Sequence, residues 1–267
     1  MEIISKISRG SKMDQIYIPK NRKNFTIGTY VVIRPLETEQ NIEKPYFYNI
    51  SSIEPVKLDI INEIFNRIEK ISKYENIIIT GSFLDDGFNF NDIDILIISD
   101  NKIDEKYIKK VIENTIKIKA HIITLNNKSI GMGLSTDPLY QMMLSKCIAK
   151  KRFIYKTKRK IDYKLLDLHL LKSKSLTDGY DFISGIEKYY LTRNMIAISL
   201  FIQTKKIDKK RIDEEIKRIF NIKKIQDLKQ NMLDKKTFLQ RYNSFYNNLS
   251  SKILSNIQDG AKQKQAH

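Results

Sequence analysis

Ile77-Ile78-Ile79-Thr80-Gly81-Ser82, then nine residues, then Asp92-Ile93-Asp94-Ile95-Leu96-Ile97-Ile98 decide how this chain is read. Both runs are β-branched and too short for helices, so each reads as a strand. Residues two apart on a strand share a face. Asp92 and Asp94 therefore stand side by side, while Ile93 and Ile95 point the other way into a core. Two adjacent carboxylates repel, and a divalent cation relieves that repulsion. Oxygen ligands suit Mg²⁺, with Mn²⁺ as an alternative, and Mg²⁺ keeps waters and binds substrate phosphates. Gly81 has no Cβ and permits close backbone approach to a ligand, and Ser82 adds a hydroxyl beside it. A helix beginning within 83–86 would aim its first amides at a phosphate.

Working outward, Pro55 opens a helix whose apolar stripe is Leu58, Ile61, Ile64, Phe65, Ile68 and Ile71, with Lys57, Glu63, Arg67 and Lys70 outside it. An amphipathic helix is expected over 103–113 and a third strand over 116–125. Asp137-Pro138 starts a helix expected to run to about residue 150. Helical spacing continues over 164–173, 180–203, 208–220 and 235–257. Tyr189, Tyr190, Arg193 and Asn194 share a helix with Met195, Ile198 and Leu200; the polar members could line a groove, and the stripe equally fits a core. Met142, Met143 and Cys147 read as core. Residues 1–50 are β-rich: Ile16 to Pro19 forms a strand, Gly28 a turn, Tyr30 to Ile33 a second strand, and 45–50 is extended. The expectation is an α+β fold: a β-rich basic unit over 1–50, a core over 51–134 and a helical domain over 135–260.

The Gly-Ser pair at a strand end, followed about ten residues on by Asp-x-Asp in the next strand, resembles the signature of the DNA polymerase β-type nucleotidyltransferases. The resemblance covers roughly residues 57–125. It implies a mixed sheet with helices, Gly81 and Ser82 on the phosphates of ATP or another nucleoside triphosphate, and Asp92 and Asp94 on the metal ions. The implied reaction moves a nucleoside monophosphate to a hydroxyl, by positioning and charge neutralisation.

The sequence departs from that pattern at one point. Members of the family usually carry a third carboxylate on the strand after the next helix, yet 114–136 contains no Asp or Glu. Lys119 or His121 stands where that acid is expected. Either His121 serves as general base or phosphate contact, or an acid such as Asp85, Asp86 or Asp100 completes the site, or the domain has lost turnover and keeps binding. A lone His at a strand end is also consistent with a purely structural role.

The net charge of +17 favours polyanionic partners, RNA or DNA among them, although an AT-rich genome would inflate Lys, Ile, Asn and Tyr together. Lys150, Lys151, Arg152, Lys156, Lys158, Arg159 and Lys160 form a basic stretch interleaved with Phe153, Ile154 and Tyr155. Its charges are read as nucleic-acid contacts and its aromatics as core. Ser8-Arg9-Gly10-Ser11, Gln15 to Arg22 and Phe25 to Ile33 resemble the AbrB/SpoVT swapped-hairpin DNA-binding unit. That resemblance implies a strand-exchanged homodimer offering Arg9, Lys12, Lys20, Arg22 and Lys23 to phosphates; the other reading is a β-hairpin extension of the transferase sheet. No run approaches the roughly 18 apolar residues of a membrane span, and Cys147 is the single cysteine, so no membrane partner and a cytoplasmic protein are expected. The expected function is Mg-dependent nucleotidyl transfer to RNA, including tRNA, or to a protein. The alternative is a non-catalytic nucleic-acid-binding, transcription-regulatory protein with a degenerate transferase domain.

Overall fold

The computed structural model describes residues 5, 7–18, 20, 26–28, 44–155 and 157–265. Contacts divide the chain into two units, Met1–Ile42 and Glu43–His267. In the first, β1 (Ile7–Ser8) pairs antiparallel with β2 (Gln15–Ile16). The Ser5 hydroxyl donates to the Tyr17 carbonyl at 2.7 Å. The strand expected over Ile16 to Pro19 is thus shorter and starts one residue earlier. The expected strand at Tyr30 to Ile33, and Arg22 and Lys23, lie outside the described residues.

The second unit is α+β, built on a mixed five-stranded sheet. Its order is β3 (Tyr46–Tyr48), β7 (Cys147–Ala149), β4 (Asn76–Thr80), β5 (Asp92–Ile98), β6 (Lys119–Leu125). Only β5 and β6 run parallel; the other neighbours are antiparallel. Helix α1 (Pro55–Ile71) starts with Pro at its first turn. Helix α2 (Glu105–Ile116) is capped by Asp104, whose carboxylate accepts from Tyr107 N. Together α1 and α2 cover one face of the sheet, packing Ile61, Ile64, Phe65, Ile68, Ile108 and Ile112 on Ile77, Ile79, Ile93, Ile95 and Ile97. Helices α3 (Asn127–Thr136) and α4 (Pro138–Leu144) put Ile130 and Leu144 on the other face, against Ile78, Leu96 and Ile98. Five further helices form a bundle with its own core: α5 (Tyr163–Asp178), α6 (Gly185–Ile202), α7 (Lys209–Phe220), α8 (Ile225–Lys229) and α9 (Lys235–Gln265). No helix among the described residues is long and apolar enough to cross a membrane.

Three expectations are corrected. The helix from Pro138 ends at Leu144, and Cys147-Ile148-Ala149 is a strand between β3 and β4; its three fully buried residues suit a doubly covered strand better than a helix face. Lys57 does not lie outside the α1 stripe: it is fully buried, and its ammonium donates to the carbonyls of Asp85 at 2.5 Å and Gly87 at 2.6 Å. It also pairs with Glu54 at 3.0 Å. The helix expected to begin within 83–86 is a single 3₁₀ turn, Ser82–Leu84, after which Asp85 is extended. Its Phe83 and Leu84 are buried in the core under α1, so the turn serves packing and presents no α-helical N-terminus.

Candidate active site

β4 delivers Gly81 with φ +84° and ψ −163°, a conformation essentially restricted to glycine. A Cβ on Gly81 would lie 2.0 Å from Asp94 Oδ2. The glycine therefore does two jobs, allowing the turn and leaving room for the carboxylate. Thr80 pairs with Asp94 across the strands, and its hydroxyl donates to the Met143 carbonyl at 2.6 Å, fixing the strand end to α4.

Asp92 and Asp94 are half-buried on one face of β5, while Ile93 and Ile95 are buried on the other. The parallel register sets Lys119 opposite Asp92 and His121 opposite Asp94. Both basic residues therefore face the aspartate pair, and His121 stands beside Asp94 where the third carboxylate was expected. His121 Nδ1 lies 3.2 Å from Asp94 Oδ1, with the imidazole 62% exposed and the carboxylate 35%. With hydrogen on Nδ1 the ring donates to Asp94 and leaves Nε2 as a base facing solvent. Burial raises the Asp94 carboxyl above its ordinary range; Asp92 adds to this, whereas His121 and Arg193 act against it. A divalent cation would relieve both unfavourable contributions. Among the described residues no group of three or more His, Cys, Asp or Glu forms a metal cage. Asp92 and Asp94 are the two residues that would hold a divalent cation here, since Mg²⁺ is commonly bound through one or two carboxylates.

A second wall comes from the helices. Arg193 on α6 stacks over the Tyr190 ring at 4.7 Å, and its Nε is buried without a hydrogen-bond partner. Burial weighs against its charge, while Tyr189, Tyr190, Asp213 and Asp85 lie within electrostatic reach. Tyr189 donates to Asp213 at 2.8 Å. Asp85 is held by Lys146 at 3.0 Å and by Lys209 of α7 at 2.5 Å. Burial alone would raise the Asp85 carboxyl; hydrogen bonds from the two lysines hold it below its ordinary range. Lys229 of α8 is pushed down by burial and by Lys209. Of the acids considered as a third ligand, Asp85 is thus engaged by cations, Asp86 is exposed, and Asp100 follows the opposite end of β5. A depression lined by Ile71, Lys73, Asn101, Lys102 and Tyr107 also lies at that opposite end.

The basic stretch divides. Lys150 is buried and paired with Glu69. Arg159 donates to Gln141 at 3.0 Å and to the Lys205 carbonyl at 2.6 Å, so it braces α4 against the bundle. Lys151, Arg152, Lys158 and Lys160 are exposed, and Lys156 lies outside the described residues. Lys151 is bonded to Asn76 at the start of β4, about 17 Å of strand from Gly81. Phe153 and Tyr155 pack at the edge of the core beside Tyr48, as expected. Arg193 is the bundle cation within electrostatic reach of Asp94, while Lys146, Lys209 and Lys229 gather around Asp85. Their sequence separation hides this convergence; only Asp208, a helix-capping signal, marks where Lys209 begins its helix.

Comparison with known proteins gives no match: no family model fits the sequence, and neither curated proteins nor solved structures match it.

Proposed function

We propose that this chain is a metal-dependent nucleotidyltransferase of the polymerase β type, moving a nucleoside monophosphate from a nucleoside triphosphate to a hydroxyl and releasing pyrophosphate. The observation that carries the reading is the packing of Gly81 against Asp94, with Asp92 and His121 on the same sheet face. That arrangement supports phosphates at Gly81-Ser82 beside two carboxylates. A cation held by Asp92 and Asp94 would neutralise charge on the reacting phosphate. His121 Nε2 accepts the proton of the attacking hydroxyl, and Asp94 orients the ring and stabilises the imidazolium through Nδ1. The basic wall of Arg193, Lys146, Lys209 and Lys229 favours a polyanionic substrate. The overall charge favours an RNA acceptor over a small molecule, with a protein hydroxyl as the other acceptor class.

Incubation with Mg²⁺ or Mn²⁺, α-labelled nucleoside triphosphates and total RNA, DNA or cell protein tests this. Label appears on one acceptor class and is lost in Asp92→Ala/Asp94→Ala. His121→Ala lowers the rate by about 10²–10⁴-fold, and His121→Asp, which supplies the third carboxylate, recovers a large part of it. The second reading, a nucleic-acid-binding regulator, is favoured by one observation, the absence of an acid from β6. No label on any acceptor, with salt-sensitive nucleic-acid binding by wild type and double variant alike, would establish it instead.

A further inference from the structure

Asp85 carries more charge contacts than a loop carboxylate needs. Each oxygen meets a different ammonium, Lys146 on Oδ1 and Lys209 on Oδ2. These lysines come from separate elements, the turn between α4 and β7 and the first turn of α7. Lys229 and Arg193 lie within electrostatic reach of the same carboxylate. Four cations thus gather around Asp85, three residues beyond Ser82, and Asp213 is a second carboxylate within electrostatic reach of three of them, Lys209, Lys229 and Arg193. That is an excess of positive charge for two carboxylates, and Arg193 Nε–H, buried without an acceptor, is a donor still to be matched. Two ammonium groups bound to two oxygens of one small anion is also how lysines hold a phosphate. The Asp85 backbone is anchored independently, since Lys57 holds its carbonyl, so the side chain can leave its partners without unravelling the loop.

We propose that Lys146, Lys209, Lys229 and Arg193 form a polyphosphate seat that Asp85 fills from within, so that a polyphosphate entering it must displace the Asp85 carboxylate. The exchange breaks the ion bridge that ties α7 to the loop after Gly81-Ser82. Binding there is therefore coupled to release of the helical bundle from that loop. The ligand class follows from the chemistry: several linked phosphates can answer four cations, which Asp85 and Asp213 together do not. In naming the ligand as the polyphosphate of a nucleotide, the inference rests on the transferase reading; the seat itself does not.

The test is calorimetric titration of the full chain with inorganic tripolyphosphate, without divalent cations. Asp85→Asn keeps the shape, removes the competing charge and tightens binding about tenfold. Lys209→Met weakens binding by a similar factor, and Lys209→Arg restores it. Thermal melts establish that each variant is folded, and tripolyphosphate raises the melting temperature of Asp85→Asn more than that of wild type. Asp85→Asn binding no tighter than wild type, or Lys209→Met binding equally well, would overturn the proposal. Asp92→Asn/Asp94→Asn retains metal-free binding if the seat is as described. A failed label-transfer assay with intact tripolyphosphate binding therefore counts against the transferase alone, and the converse result against the seat alone.

Discussion

Gly81→Ala isolates the tightest contact in the site. The substitution meets two obstacles. Its backbone, at φ +84° and ψ −163°, costs an L-residue about 1–3 kcal/mol. Its Cβ would sit 2.0 Å from Asp94 Oδ2, where ordinary contact begins at 3.4 Å, so the carboxylate must retreat by about 1.4 Å to reach ordinary van der Waals contact. With strain of about 2 kcal/mol, the melting temperature of a unit this size falls by about 4–8 °C. A displacement of that size at a reacting centre lowers transfer by about 10²-fold. Gly87→Ala is the control: Gly87 also has positive φ, at +77°, but its Cβ would meet nothing within 4 Å. It should lose stability and keep transfer. Differential scanning fluorimetry and the label-transfer assay on both variants decide the matter. If Gly81→Ala behaves as Gly87→Ala does in both, the packing of Asp94 on Gly81 does not position the site.

Asp94→Asn is expected to separate stability from function. Burial holds this carboxyl above its ordinary range, so the folded protein binds its proton more tightly than the unfolded chain does. Ionising Asp94 thus costs stability, a cost that is absent below the unfolded pKa, near pH 4, and reached in full above the folded one. The variant melts higher than wild type at neutral pH, by less than about 1 kcal/mol because the group is a third exposed, and the gap closes below about pH 4; a less stable variant at neutral pH contradicts this. Lys57→Met leaves the carbonyls of Asp85 and Gly87 without their donor and should cost about 2–3 kcal/mol in urea denaturation; an unchanged midpoint would show that the loop does not depend on it. The Cys147 thiol is buried and pushed up to about 12 by that burial, so a disulfide reagent at pH 8 should label it only after denaturation. Fast labelling of the native protein would mean that β7 opens readily.

What the sequence disclosed and what it withheld divide along physical lines. The strands over 77–98 were legible because β-branched runs, a glycine and paired aspartates all point one way. The helix start at Asp137-Pro138 was legible because both residues signal it, whereas the start expected at 103 lies after the Asp104 cap, at Glu105. Strand β7 was not: Cys147-Ile148-Ala149 follows an apolar helix, and three apolar residues carry no period of their own. Lys57 was misplaced because a charged residue was assumed to face water, whereas its partners are backbone carbonyls with no signature in sequence. His121 was named, but only the parallel register of β5 and β6 sets it beside Asp94 rather than Asp92. Arg193, Lys209 and Lys229 meet only because three helices converge, and no local pattern encodes that.

The place of β7 bears on how the protein can be cut. Its residues lie beyond the boundary at 134 that composition suggests, yet they fill the sheet between β3 and β4. A fragment ending at 134 would leave Ile77, Ile78 and Ile79 on an open, apolar edge, an invitation to intermolecular pairing. During synthesis the sheet stays unfinished until residue 149 has emerged, with the pairing of β3 to β7 spanning about a hundred residues of chain. Gly81, Asp92, Asp94 and His121 are therefore all made well before the strand that secures their sheet, and a nascent chain at that stage is one for which chaperone binding would matter most.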